Sequence, residues 1–230
     1  MLKMARIPAI ALVGALALST PAVAFEPQET ERVDRTASIR AGGQVRIKNF
    51  SGTVTITGAR RGDVAVRAIR RASRDRLDHI KLEVIETGSG VTIDANKKDS
   101  SWRDRNNNVV HTELDIQVPE DVSLDVEVFS SEVIVRDVTG RQRLHTFSGD
   151  IEVSGATGSI DAETFSGDIE LKVAQGVGGR IDFDSFSGSL RADAGITTRS
   201  TSRRHVTGTI GTGGSNDYHF KTFSGDVRIR

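Results

Sequence analysis

The pentapeptide Thr-Phe-Ser-Gly-Asp occurs three times, around Phe147, Phe165 and Phe223, each time followed by alternating apolar residues. Looser copies stand at Phe50 (NFSGTVTITG), Phe129 (VFSSEVIVRD) and Phe186 (SFSGSLRADA). Phe129, Phe147 and Phe165 are 18 residues apart, and Phe186 follows after 21. A fixed period of this length marks stacked supersecondary units, none of which can bury its apolar face alone. The gap of 37 residues from Phe186 to Phe223 is about two periods. Val206-Thr207-Gly208-Thr209-Ile210 aligns with the corner as a degenerate copy, so six turns are expected in the C-terminal half.

Each unit reads as two strands around a Phe-Ser-Gly-Asp corner. Leu144/Thr146 and Ile160/Ala162/Thr164 alternate before it, Ile151/Val153 and Ile169/Leu171/Val173 after it. Alternate apolar side chains must face one core. Two stackings satisfy this: a coiled parallel solenoid, or an up-and-down sheet of hairpins. Identical corners without the Asn-Gly or Asp-Gly pairs of tight hairpins favour the solenoid. The expected fold is therefore all-β, a right-handed parallel β-solenoid (β-helix) of about 18-residue coils. In it the Phe residues stack along a corner and Gly149, Gly167, Gly188 and Gly225 supply the bend. The last strand, Val227 to Arg230, is expected at an open end, with Arg228 and Arg230 protecting that edge.

The chain as a whole divides into four expected parts. Residues 1–24 read as a signal peptide: Lys3 and Arg6 precede the apolar run Ile7 to Leu18, and Ala22-Val23-Ala24 fits a peptidase site. The run is too short to cross a bilayer, which takes about 20 residues, so no transmembrane span is expected after cleavage. Residues 25–36 are a polar lead-in. Residues 37–118 form an N-terminal β region of period-two strands, with a polar mobile loop at 97–108, and are expected to cap the solenoid. Pro119 opens the repeat region, 119–230, because it cannot donate to a ladder. The chain is exported on this reading, to the periplasm first, with the cell surface or secretion as further destinations. It has no Cys despite an address that permits disulfides, so a packed core must hold it together.

Lys and Arg number 31 and so do Asp and Glu. That balance argues against nucleic acid as a partner, which asks for a strongly basic surface. No cofactor or metal motif is present, and no catalytic residue stands out. The serines of the corners are repetitive where a nucleophile would be single, and the five His lie in unrelated contexts. The chain is read as no enzyme.

Taken together, the repeated (Thr/Ser)-Phe-Ser-Gly-Asp-(Ile/Val) and the approach Ile116-Gln117-Val118-Pro119-Glu120-Asp121-Val122-Ser123-Leu124 resemble the domain of unknown function 4097. That family comprises β-strand-repeat, adhesin-like proteins of bacterial cell envelopes, and the resemblance covers about Ala37 to Arg230. It implies a β-helical, envelope-associated protein; some members are linked to envelope stress or antimicrobial-peptide responses. It implies no catalytic residues.

Several features invite a chemical reading. Asp150, Asp168 and Asp226 fall at equivalent corners, where they either ligate calcium in a ladder or cap backbone N–H groups; the missing Gly-Gly-x-Gly-x-Asp pattern favours capping. Outward columns are expected through Glu127, His145, Glu163, Asp184 and Lys221, through Arg143, Asp161, Asp182 and His219, and through Glu152, Glu170, Arg191 and Arg228. Mixed signs in such columns are ordinary cross-strand pairing. Arg67, Arg70, Arg71 and Arg74 form the candidate site for an anionic surface, such as envelope lipid or acidic glycan, since guanidinium groups grip phosphate and carboxylate in pairs. The competing reading is a solvated strand with local ion pairs. Arg61-Gly62-Asp63 matches an adhesive tripeptide but is better explained as a turn. The functional expectation is a non-enzymatic exported protein with an adhesin-like or envelope-surface binding role, its partner an envelope lipid, glycan or protein. A carbohydrate-active β-helix enzyme and a self-assembling scaffold remain the alternatives.

Overall fold

The protein is described from a computed structural model that covers residues 28–100, 102, 108–193, 196–202, 204–211 and 213–230. The expected signal peptide (1–24) and half of the loop at 97–108 lie outside these residues. Among the described residues, no helix is long and apolar enough to cross a membrane.

The chain is mostly β. Its N-terminal half contributes β1 (Glu29–Ser38), β2 (Gln44–Ala59), β3 (Asp63–Ala72), a six-residue helix α1 (Arg74–His79), β4 (Ile80–Glu86), β5 (Gly90–Lys98) and β6 (His111–Pro119). The repeat region contributes β7 (Ser123–Arg136), β8 (Gln142–Ser148), β9 (Ile151–Ser154), β10 (Ile160–Ser166), β11 (Ile169–Lys172), β12 (Gly179–Ser187) and β13 (Leu190–Ala192). It closes with β14 (Ile196–Thr201), β15 (His205–Ile210), β16 (Asn216–Ser224) and β17 (Val227–Ile229). Hydrogen bonding joins all seventeen into one large mixed sheet.

The repeat units pair as rungs with two arms. First arms lie parallel in the order β5, β2, β7, β8, β10, β16, β12. Second arms follow in the order β6, β2, β7, β9, β11, β17, β13, again parallel. The long strands β2 and β7 each run through the corner without a break and supply both arms. At one end β4 lies antiparallel on β5, β3 on β6, and β1 on β3. At the other, β15 lies antiparallel on β12 and β14 on β15.

Inward side chains of both arms make one core. Ile47, Ile56, Ile116, Val126, Leu144, Ile151, Ile169, Phe183 and Phe220 are all at most 1% exposed. Each buried Leu or Ile contributes about 1.5–3 kcal/mol relative to exposure, which accounts for a cysteine-free chain. The corner glycines are a consequence of rung spacing. Gly149 and Gly167 have φ of 150° and 151°. A Cβ on Gly149 would stand 2.1 Å from the Ser131 carbonyl oxygen, and one on Gly167 would stand 2.2 Å from that of Gly149.

Four expectations are corrected. The final strand is not at an open end: β16 and β17 are inserted between the Phe165 and Phe186 rungs, paired on both sides. The segment at Val206 is no rung, because β15 runs antiparallel to β12 with Val206 opposite Phe183. The long gap between Phe186 and Phe223 is thus an excursion that covers the outer first-arm edge and brings the chain back to fill a slot. Finally, most of the polar lead-in is strand β1, paired with β3 along all ten of its residues. Its apolar pattern is faint because both of its faces stay largely exposed. Lys97 and Lys98, expected in the loop, complete β5.

Candidate functional site

The outward face of the first arms carries three parallel rows. Nearest the corner is the row of rings, in spatial order Phe50, Phe129, Phe147, Phe165, Phe223, Phe186. Neighbouring centroids are 4.6–4.9 Å apart and ring planes lie within 10° of parallel. That spacing is the distance between hydrogen-bonded strands, so strict in-register stacking of the repeat creates the row. Each ring is 39–55% exposed. Solvent-facing apolar rings in an unbroken line exceed what a soluble surface carries by chance, and such patches mark interaction sites.

The second row consists of charged residues two positions earlier. Lys48 meets Glu127 at 3.0 Å, His145 meets Glu163 at 3.3 Å, Lys221 meets Glu163 at 3.2 Å, and His205 meets Asp184 at 2.9 Å. Acidic and basic groups therefore alternate along the row. Between the rows a groove of about 920 Å³ runs the length of the ring stack. Its floor includes Thr146, Thr164 and Thr222, whose hydroxyls donate to the carbonyls of Ser131, Gly149 and Gly225. At the Phe186 end the Arg204 guanidinium carbon sits 4.6 Å above the ring centroid. A third row, Arg46–Asp125 and Arg143–Asp161, is likewise paired, at 3.0 and 3.8 Å.

The four arginines of the sequence-derived site do not share a face. Arg70 points inward and is 1% exposed, bonded to Glu31 and to the Ile80 carbonyl. Arg67 and Arg71 lie on the opposite side of β3, pairing with Asp34 at 3.2 Å and with Glu113. Arg74, on α1, pairs with Asp78 at 3.2 Å and Glu29 at 3.3 Å; the hydrogen bonds it donates to Glu29 and Asp78 raise its pKa. The partners Glu29, Glu31 and Asp34 all come from β1, the strand hidden in the polar lead-in. Arg61 folds onto its own Asp63 at 2.7 Å, and this hydrogen bond lowers the Asp63 pKa. The tripeptide is a self-neutralised turn.

The corner carboxylates cap backbone. Asp150 accepts the Asp168 N–H, Asp168 accepts the Asp226 N–H, and Asp226 accepts the Ser189 N–H, each at 2.8 Å. The backbone N–H of Ser189, then its hydroxyl, hold the Asp226 carboxyl below the usual range. Among the described residues one group has metal-ligand composition: Asp182, Asp184 and His205. Its residues are about half exposed, and its 2.9 Å contact is that of a cross-strand His–Asp pair.

Sequence reasoning placed the Phe column at a corner and the charged residues in columns, but it gave no sign that the rings face solvent. It also missed Arg204. The signal for the rings lies in register: Phe147 sits at the same parity as His145 and Arg143, which makes it an outward position.

Residues 122–230 match the family model described as Toastrack DUF4097. The C-terminal half is thus a toastrack domain of that family. Among solved structures the chain is similar to a "putative cell adhesion protein" from Clostridium sporogenes. The two are 10% identical with a TM-score of 0.63, over 86% of this chain and 99% of the other. A "putative adhesin" from Bacteroides fragilis is 13% identical over 87% and 97%, with a TM-score of 0.32. At such identity the first likeness is one of fold. No curated protein matches the chain, and the comparisons indicate no enzymatic family.

Proposed function

We propose that this is a non-enzymatic protein of the bacterial envelope, exported to the periplasm or cell surface, which binds another envelope component through the phenylalanine groove. The role is adhesin-like in that a rigid surface is presented to a partner. The observation that carries it is the exposed row of six stacked rings. Rings 4.6–4.9 Å apart in fixed register are pre-organised, so little entropy is lost when a partner covers them. We read the scaffold as a right-handed parallel solenoid whose final coil is inserted between two earlier ones. In this groove a carbohydrate-active enzyme is disfavoured, because Glu127, Glu163 and Asp184 each have a basic neighbour there.

The test is co-sedimentation of the purified protein with isolated bacterial envelopes, beside a Phe165→Ser variant whose circular dichroism matches the parent. The parent should sediment, and the variant should lose roughly tenfold in affinity, about 1.4 kcal/mol. Equal sedimentation of both would remove the groove from the function. Export is checked separately by N-terminal sequencing of the protein recovered from cells, which should begin at Phe25.

A further inference from the structure

We propose that the groove takes one unbranched fatty-acid chain, laid along the ring row from Phe186 to Phe50, with its carboxylate at Arg204. This rests on the groove reading above and names the ligand.

The ring faces are already occupied. With planes 1–10° from parallel at 4.6–4.9 Å, each inner ring covers its neighbours' faces and presents only its rim. Sugars and nucleobases bind aromatic faces, so the row is closed to them along its length. A rim of C–H edges is an apolar, ridged surface suited to methylene groups. The floor agrees, since the hydroxyls of Thr146, Thr164 and Thr222 are spent on backbone carbonyls and make no call on a polar ligand.

Length also fits. Five centroid steps of 4.6–4.9 Å make a row on the order of 24 Å. Half of a bilayer core of roughly 30 Å, about 15 Å, is what one disordered acyl chain spans; drawn out straight, a long chain and its head group reach along most of the row. Polar residues close both ends. At the Phe50 end the register Lys48↔Asp94 sets Asn96 where another Phe would stand. At the Phe186 end stands Arg204.

Charge assigns the polarity. The basic groups of the second row, Lys48, His145, Lys221 and His205, each face a carboxylate within 3.3 Å. Arg204 stacks on Phe186 and, among the described residues, has no carboxylate partner. It is the cation free to take a carboxylate head.

The experiment is calorimetric titration of the purified protein with palmitate, with hexadecanol and with octanoate, each below its aggregation threshold, beside Phe165→Ser and Arg204→Gln variants. Palmitate should bind one to one, and octanoate at least a hundredfold more weakly. Phe165→Ser should weaken palmitate tenfold or more. Arg204→Gln, at a loop position that leaves the core untouched, should weaken palmitate severalfold and leave hexadecanol unchanged. Absence of palmitate binding, or binding indifferent to both substitutions, overturns the proposal. If palmitate fails while envelope sedimentation still depends on Phe165, the fatty acid is wrong and the groove reading stands. If both fail, both are wrong. A concentration-dependent dimer lost in Phe165→Ser, without palmitate binding, would give the row to a second copy.

Discussion

Lys221 Nζ lies 3.2 Å from Glu163 Oε1, although 58 residues separate them in the chain. The contact exists because β16 occupies the slot between β10 and β12. Without that insertion Glu163 and Asp184 would be neighbours on adjacent rungs, as would Asp161 and Asp182. With it, Lys221 and His219 stand between them. Like charges directly opposite one another in a sheet are destabilising, so the charge pattern favours the inserted order over simple succession.

Reversing one charge tests this. Lys221→Glu would set three carboxylates on consecutive rungs with two new repulsive contacts, costing about 1–2 kcal/mol at low salt. Urea unfolding with and without added salt should show the loss and its partial recovery through screening.

Rung spacing predicts where glycine is required. Gly167→Ala introduces a Cβ against the Gly149 carbonyl at φ 151°, and should cost at least ~2 kcal/mol. Gly62→Ala, where nothing lies within 4 Å, should stay within about 0.5 kcal/mol. Parallel melts of the two variants make the comparison.

The corner ladder predicts a pH dependence. Asp226 has its pKa lowered from 3.8 by accepting from Ser189. A depressed carboxyl pKa means that its stabilisation is present above the ordinary value and disappears as pH falls through the folded one. Asp226→Ala should therefore cost about 1 kcal/mol at neutral pH. The gap from the parent should narrow as denaturant curves are repeated at pH values progressively below 3.8.

The four arginines should separate by burial. Arg70→Ala strips a buried guanidinium from Glu31 and the Ile80 carbonyl and leaves a cavity, an expected loss of about 3 kcal/mol. Arg67→Gln removes an exposed pair with Asp34 and should change stability by less than about 1 kcal/mol. Chemical denaturation of both distinguishes the core arginine from the surface one.

The repeat unit is written in the residues: alternation at Ile151/Val153 and Leu144/Thr146 dictates two short strands, and Gly149 dictates the corner between them. Identical units also determined which residues share a row, because equal spacing from the corner means equal height on adjacent strands. Charge columns and ring row were legible for that reason. The order of the rungs was not, since a period specifies the step between neighbours and says nothing about which neighbour is chosen once the chain makes an excursion. Long-range pairing places Phe223 between Phe165 and Phe186, turns β15 antiparallel, and brings the carboxylates of β1 to Arg67, Arg70 and Arg74. These are long-range pairings whose energy comes from register and charge across strands distant in sequence. Local propensity carries no trace of them.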